Sequence, residues 1–166
     1  MTIRNFILQI ERIKSEFQNQ NIEIGSDWDI KIIDDDFNAY ISPLFHIVFC
    51  LDSLRIFCIF QPYFRDINQD DDYYFWGEDP TTNWTYSMDQ ESNEILLIDL
   101  NDMSIMEFCA EDDYHFLDAL ELAAQYYSQK ILTNGAIEEN QMEWLTKCYN
   151  AAGGEKYKLF CMRLLG

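Results

Sequence analysis

The stretch from residue 66 to residue 129 contains seventeen aspartates and glutamates but no lysine or arginine. Its carboxylates have no cationic partner within the stretch, and like charges that stay unpaired oppose compaction. The whole chain of 166 residues has a formal net charge of -19. A fold that keeps such an imbalance on its surface either gains only solubility from it or attracts a positive partner.

The apolar content indicates that the chain folds in spite of this charge. The hydrophobic fraction is 48% and the aromatic fraction 16%, whereas acidic disordered tails combine high charge with few aromatic residues. A domain of this length can bury roughly 70% of the surface that its unfolded chain exposes. We therefore expect one domain, residues 1–166, with an acidic surface.

The sign of the charge limits the partners. Nucleic-acid phosphates and anionic lipid headgroups carry the same sign, so the sequence predicts no direct binding to nucleic acid or membranes. No uninterrupted apolar run approaches the roughly 20 residues that cross a bilayer. A basic protein is the more natural partner, particularly one whose own ligand is nucleic acid. The sequence does not indicate an oligomeric state.

The cysteines indicate a reducing compartment. Their number is odd, no pair has CxxC spacing, and each lies among apolar neighbours: Cys50, Cys58, Cys109, Cys148 and Cys161. Free cysteine behaves as a small buried hydrophobe, so we expect core residues of a reduced, cytoplasmic protein. The first residues begin an amphipathic pattern instead of a signal peptide.

Hydrophobic periodicity predicts helices at both ends of the chain and strands between them. An N-terminal helix is predicted from one apolar face: Ile3, Phe6, Ile7, Ile10, Ile13 and Phe17. Strands are predicted at Trp28–Ile33, Phe45–Leu51, Leu54–Phe60, Tyr73–Trp76, Trp84–Met88, Glu94–Leu100 and Ile105–Ala110. Asp52-Ser53 is predicted to form a hairpin turn. The last three strands predict a meander, which favours antiparallel pairing.

The C-terminal third predicts three helices. The first starts at Asp112, where acidic residues complement the helix dipole, and ends at Asn134-Gly135. A second contains Leu145 and is broken by Gly153-Gly154, and a short third one follows. The order of helix, strands and helices predicts an α+β fold, with a central, mostly antiparallel sheet of about five to six strands and flanking N-terminal and C-terminal helices.

The acidic run that starts at Asp66 superficially resembles a calcium-binding loop. Counted from there, the sixth position should be glycine and is Asp71, and the twelfth should be glutamate and is Gly77. His46 and His115 lie far apart, and no Cys/His spacing predicts zinc. We expect no metal and no cofactor.

Catalytic motifs are also missing from the sequence. There is no GxSxG elbow and no phosphate-binding glycine loop. Cys109 and His115 fall on a predicted strand and a predicted helix, which does not favour a nucleophile–base pair. We expect no catalytic residue and no enzyme activity.

Acids and aromatic residues are interleaved after residue 69. Interface cores favour tyrosine and tryptophan, and surrounding carboxylates suit a basic partner. Strand alternation should bury about half of these aromatics. The predicted partner-binding residues, not all of which need make contact, are Asp70, Asp71, Asp72, Tyr73, Tyr74, Trp76, Glu78, Asp79 and Trp84.

Five segments follow a pattern of strand, turn, strand and helix with a glycine-containing tail. They are Asn83-Trp84-Thr85-Tyr86, Glu94-Ile95-Leu96-Leu97-Ile98-Asp99-Leu100, Met106-Glu107-Phe108-Cys109-Ala110, Tyr114-His115-Phe116-Leu117-Asp118-Ala119-Leu120 and Ala151-Ala152-Gly153-Gly154-Glu155-Lys156-Tyr157. This pattern resembles the C-terminal half of SUKH-superfamily domains and covers roughly residues 73–166. The resemblance implies an α+β fold and the role of a bacterial immunity protein, which binds and neutralises a basic cognate toxin, often a nuclease.

The resemblance agrees with the charge, because a nuclease attracts phosphate with a basic cleft that an acidic inhibitor can fill. Two alternatives stay open. The chain could be a non-catalytic regulatory or scaffolding module with a non-toxin partner. It could also be an uncharacterised enzyme, which would show a deep pocket with converging carboxylates of raised pKa.

Overall fold

The computed structural model describes residues 3–23, 28–32, 42–56, 61–62, 67–134 and 140–166. In these ranges the helices are α1 (Ile3–Asn19), α2 (Pro43–Cys50), α3 (Asp113–Leu132), α4 (Gln141–Ala151) and α5 (Lys158–Leu165). A short 3₁₀ helix, Glu155–Tyr157, joins α4 to α5. The strands are β1 (Trp28–Ile32), β2 (Leu51–Ile56), β3 (Gln61–Pro62), β4 (Asn68–Gln69), β5 (Tyr73–Glu78), β6 (Thr85–Asp89), β7 (Ile95–Asp99) and β8 (Ser104–Ala110).

The main sheet is an antiparallel meander of β5, β6, β7 and β8, extended beyond β5 by the short strands β3 and β4. β1 and β2 form a separate antiparallel pair. Helices precede and follow the sheet in the chain. The predicted α+β class, with a mostly antiparallel sheet between N-terminal and C-terminal helices, is confirmed.

The segment before β2 differs from the prediction. Residues 43–50 form helix α2 where a strand was predicted. The predicted turn residues Asp52 and Ser53 lie inside β2, where Ser53 pairs with Lys31 of β1 and Asp52 falls at a register shift. Pro43 occupies the first helical position, which tolerates proline. Leu44, Ile47 and Val48 are buried at helical spacing. Packing of this apolar face therefore overrides the β propensity of the segment.

The core lies between one face of the meander and the helices. All six apolar residues predicted on α1 are buried. At the centre, the Phe116 ring of α3 contacts Trp76, Tyr86 and Phe160 with ring centroids 5.3 to 5.8 Å apart. The opposite face of the sheet holds a smaller cluster: Tyr73, Phe75, Leu96 and Ile98. The meander therefore has apolar side chains on both faces.

Local signals position α3 and the end of α4 as expected. Asp112 is the N-cap of α3, and its side chain accepts a hydrogen bond from the backbone N–H of His115 at 2.8 Å. α4 ends before Gly153 and Gly154, which have φ of 112° and 129°. Such positive values favour glycine, because other side chains are strained there. The predicted break is confirmed.

Three of the five cysteines are described with their side chains. Cys109, Cys148 and Cys161 are free and buried, as predicted. Cys58 and the side chains of His46 and Cys50 lie outside the described part of the structure, as do the last residues of the strand predicted at 54–60 and Gly135.

Candidate functional site

Two acidic turns lie side by side at one end of the meander. The β4–β5 turn carries Asp70, Asp71 and Asp72, and the β6–β7 turn follows Asp89, which pairs with Tyr73 across the strands. Gln90 joins the two turns. Its side-chain Nε2 donates to the carbonyl oxygen of Asp70 at 2.8 Å, and its backbone N–H donates to the carbonyl oxygen of Asp72 at 2.9 Å. The acidic end is defined as Asp70, Asp71, Asp72, Asp89 and Glu91.

Two carboxylates of the acidic end shape its turns. The Asp70 carboxylate accepts hydrogen bonds from the backbone N–H groups of Asp72 and Tyr73 at 2.9 and 2.7 Å. The Asp89 carboxylate accepts from Ser92 N–H at 2.7 Å, from the Ser92 hydroxyl at 2.9 Å and from Glu91 N–H at 3.0 Å. The bonds from Ser92 are the main cause of the lowered pKa of Asp89. Both side chains therefore have a local structural role, and at Asp89 the hydrogen bonds favour the ionised form.

The remaining carboxylates of the acidic end face solvent. Asp71, Asp72 and Glu91 are exposed, and within the described residues none of the three belongs to an ion pair. Lysine and arginine are absent from the sequence between residues 66 and 129. The acidic end thus presents uncompensated negative charge, which attracts cations and basic surfaces over about a Debye length.

Tyr73 and Tyr74 begin β5 beside these turns and are half-buried. Tyr74 packs edge-on against Phe45 of α2 with ring centroids 5.7 Å apart. Tyr73 is tilted against Phe75 on the opposite face at 6.1 Å. Burial raises the pKa of the Tyr73 hydroxyl, and Asp89 and Asp72 add to the effect. Its neutral hydroxyl can donate a hydrogen bond beside the carboxylates.

The structure contradicts a surface role for two of the nine predicted residues. Trp76 is 1% exposed and Asp79 is fully buried. A register shift in β5 next to Trp76 accompanies its ring packing against Tyr86 at 5.4 Å. The Asp79 carboxylate is enclosed by Thr81 and Arg163, to which it is hydrogen-bonded. Neither side chain can contact a partner in this state.

The predicted residues also do not form one surface. β5 runs from Tyr73 beside the acidic end to Glu78 at its far end, where Glu78 pairs with Thr85 and Trp84 precedes β6. At about 3.3 Å per residue, β5 separates these groups by roughly 17 Å. Glu78 and Trp84 are only partly exposed. The structure brings together Asp70, Asp71, Asp72, Tyr73 and Tyr74, and adds Asp89 and Glu91.

An ion-pair network in which Asp79 is fully buried and its partners are partly buried was not predicted from the sequence. In the Arg163 guanidinium of α5, Nε donates to Glu107 of β8 at 2.9 Å, Nη2 lies 2.7 Å from the same carboxylate oxygen, and Nη1 contacts Asp79. Burial raises the pKa of Glu107 to about 7, while the adjacent cation favours its ionised form. No local pattern marks this network, because its members lie 56 and 84 positions apart.

A second feature that the sequence analysis missed is an apolar surface on the β7–β8 hairpin. We call it the hairpin patch and define it by its five exposed side chains: Leu100, Met103, Ile105, Met106 and Phe108. The predicted strand Ile105–Ala110 is confirmed within β8. The available signal was its nearly continuous apolar composition, since a strand covered on one face only should alternate.

Few side chains in the described ranges are arranged as a catalytic site or a metal site would require. No group of three His, Cys, Asp or Glu side chains there could hold a metal ion. His115 Nδ1 lies 2.8 Å from the N-cap carboxylate of Asp112. Burial raises the pKa of the Cys109 thiol well above its usual range, which disfavours the nucleophilic thiolate.

None of the helices in these ranges combines the length and apolar character needed to cross a membrane.

One shallow groove of about 290 Å³ lies between α1 and α3. Most of the side chains that line the groove are uncharged. Its two charged residues, Arg12 and Glu16, form an ion pair with each other at 3.3 Å. It offers no converging carboxylates.

Comparison of the chain with protein-family models, with curated proteins and with solved structures finds no match.

Proposed function

We propose that this chain is a SUKH-like immunity protein, a cytoplasmic and non-catalytic inhibitor that binds and neutralises a basic cognate toxin such as a nuclease. The observation that carries the proposal is the joining of two acidic turns through Gln90 into one end of the meander. The negative field of the acidic end complements a phosphate-binding cleft.

The structure of the acidic end supports a division of roles among its residues. Asp70 and Asp89 hold the turns by hydrogen bonds to backbone N–H groups. Asp71, Asp72 and Glu91 face solvent and supply attraction during encounter. Tyr73 and Tyr74 border them with partly exposed rings. Rings of this kind contribute contact area at low entropic cost once the partner has docked.

The test uses the protein encoded by the gene adjacent to that of this chain. We expect the two proteins to co-purify, and co-expression of this chain to remove the growth inhibition caused by the neighbour. A neighbour that binds without being toxic would favour the alternative of a regulatory or scaffolding module. The absence of binding would reject the immunity role.

The role of the acidic end is tested separately by charge-neutralising substitutions. Asp71→Asn, Asp72→Asn and Glu91→Gln together should lower the association rate at low salt by about tenfold, with little change in dissociation. The matched control removes three exposed charges elsewhere: Glu11→Gln, Glu23→Gln and Glu155→Gln. Equal effects of the two triple variants would mean that only net charge matters, and an unchanged rate would remove the acidic end from the mechanism.

A further inference from the structure

The hairpin patch is the largest group of exposed apolar side chains that follow one another in the described chain, with exposures from 37% to 53%. Soluble monomers rarely leave large contiguous apolar patches in water, and those that exist usually mark interaction sites. β8 is also the last strand of the described sheet order, so no described strand pairs with its outer edge. Phe108 pairs with Leu96 and Ile105 pairs with Ile98, so these two side chains of the hairpin patch extend the apolar face that carries Leu96 and Ile98.

Helix α5 and the 3₁₀ helix before it contact β8. Leu159 is 69% exposed and lies one helical turn from Arg163, which is bonded to Glu107 of β8. Lys156 lies in the 3₁₀ helix before α5, and its Nζ is 4.1 Å from the Phe108 ring centroid. Arg163 and Lys156 therefore bring positive charge beside β8.

The charges along β8 have opposite signs at its two ends. The Asp102 carboxylate accepts from the backbone N–H of Ser104 at 2.9 Å, where β8 begins. Lys156 lies over Phe108 near the other end and is bonded to Glu94 at 2.5 Å. Ser104 and Phe108 are about 13 Å apart along the strand. A uniformly basic partner would meet Lys156 and Arg163 here, so this surface fits such a partner less well than the acidic end does.

We propose that the hairpin patch is a two-fold interface between two copies of this chain. When the exposed faces of the two β8 strands pack against each other, with the strands antiparallel and the axis near Met106, Ser104 lies opposite Phe108. Asp102 of each copy then approaches Lys156 of the other, and Ile105, Met106 and Phe108 become buried. Such a self-complementary contact is the usual form of a homodimer interface. It is independent of the proposed immunity role.

The net charge of -19 on each copy opposes this association at long range. Salt screens that repulsion, since the Debye length falls to about 6 Å near 0.3 M ionic strength. We therefore expect a monomer–dimer equilibrium with a micromolar Kd that tightens as salt is raised from low to moderate concentration. Sedimentation velocity of the purified chain over a range of protein and salt concentrations measures this equilibrium.

Ile105→Asp and Phe108→Asp, made separately, should each abolish the dimer. The matched control is Leu8→Asp, which adds the same charge at a 56% exposed apolar residue of α1 and should leave the dimer intact. Circular dichroism verifies that each variant is folded. A dimer that survives both β8 substitutions would overturn the proposal.

A charge exchange tests the antiparallel arrangement. Asp102→Lys and Lys156→Asp should each raise Kd roughly tenfold, because two attractive pairs become two repulsive ones in a symmetric dimer. The double variant should restore most of the affinity, which a purely local structural effect of either change would not do. A failure of this rescue would overturn the arrangement. A wild-type chain that stays monomeric at every protein and salt concentration would overturn the proposed dimer. If Ile105→Asp then lost binding to the protein encoded by the adjacent gene, the hairpin patch would be the binding site for that protein instead.

Discussion

Arg163 contacts Asp79, a fully buried carboxylate 84 positions earlier in the chain. The guanidinium also bonds Glu107, so one side chain of α5 holds the β5–β6 turn and β8 together. The acidic stretch between residues 66 and 129 has no cation of its own. Part of its charge is therefore neutralised by the helical layer, and this part is unavailable for binding a partner.

Arg163→Met is expected to lower the free energy of unfolding by about 3 kcal/mol, because it leaves a buried carboxylate without its cation. Urea denaturation followed by circular dichroism measures the loss. The control Lys147→Met removes the exposed pair with Glu143, 2.7 Å apart, and should cost less than about 1 kcal/mol. Similar losses in the two variants would show that the Arg163 network does not stabilise the fold.

The two glycines after α4 offer a matched pair of substitutions. Both have positive φ, so alanine is strained at either position by about 1–3 kcal/mol. A Cβ on Gly153 would also lie 2.6 Å from Cβ of Glu111, whereas a Cβ on Gly154 would meet nothing within 4 Å. Gly153→Ala should therefore lower the thermal midpoint further than Gly154→Ala. The reverse order would contradict the close packing of this turn against Glu111.

The free energy of unfolding should depend on pH through the Asp89 carboxyl group. Its pKa is lowered in the folded state, so its contribution is present above the ordinary carboxyl value of 3.8 and is lost as pH falls through the lowered value. Asp89→Asn keeps an acceptor oxygen but cannot ionise. The wild type should therefore be more stable than the variant at neutral pH, with the difference shrinking in acid. Urea titrations at several pH values measure it, and a pH-independent difference would refute the linkage.

Asp70 and Asp71 are neighbours with different expected roles. Asp70→Ala removes the acceptor for two backbone N–H groups of the β4–β5 turn and should cost about 1 kcal/mol. Asp71 has an exposed side chain outside these bonds, so Asp71→Ala should change stability by less than about 0.5 kcal/mol. Chemical denaturation of both variants compares them. Equal stabilities would indicate that the Asp70 carboxylate does not hold the turn.

The meander was predictable because its signals are local. β6 and β7 each combine apolar residues with polar turns on either side, and Asn83 and Asn93 occupy turn positions with φ of 61° and 64°. Asparagine tolerates this left-handed conformation better than most residues. Residues 43–50 gave the opposite result, because a fully apolar segment fits either a helix or a strand. Its packing against α3 and α1 decides between them.

The candidate site was predicted in part for a similar reason. The residues after position 69 share an acidic and aromatic composition, but Tyr73 and Glu78 lie at opposite ends of the extended strand β5. Strand alternation and a register shift then turn Trp76 inward. Conversely, Asp89 and Glu91 join Asp70 through strand pairing, which composition cannot reveal. Long-range pairing therefore sets the membership of the acidic end.

The contacts of Arg163 in α5 with the sheet have a consequence for how the chain folds. A fragment that contained only the meander would retain Asp79 and Glu107 without the guanidinium that accompanies them. We expect such a fragment to stay unstructured, because two of its carboxylates would lack their cation. Because contacts so distant in sequence must form together, we expect folding in milliseconds to seconds, with sheet and helix protected from hydrogen exchange as one cooperative unit.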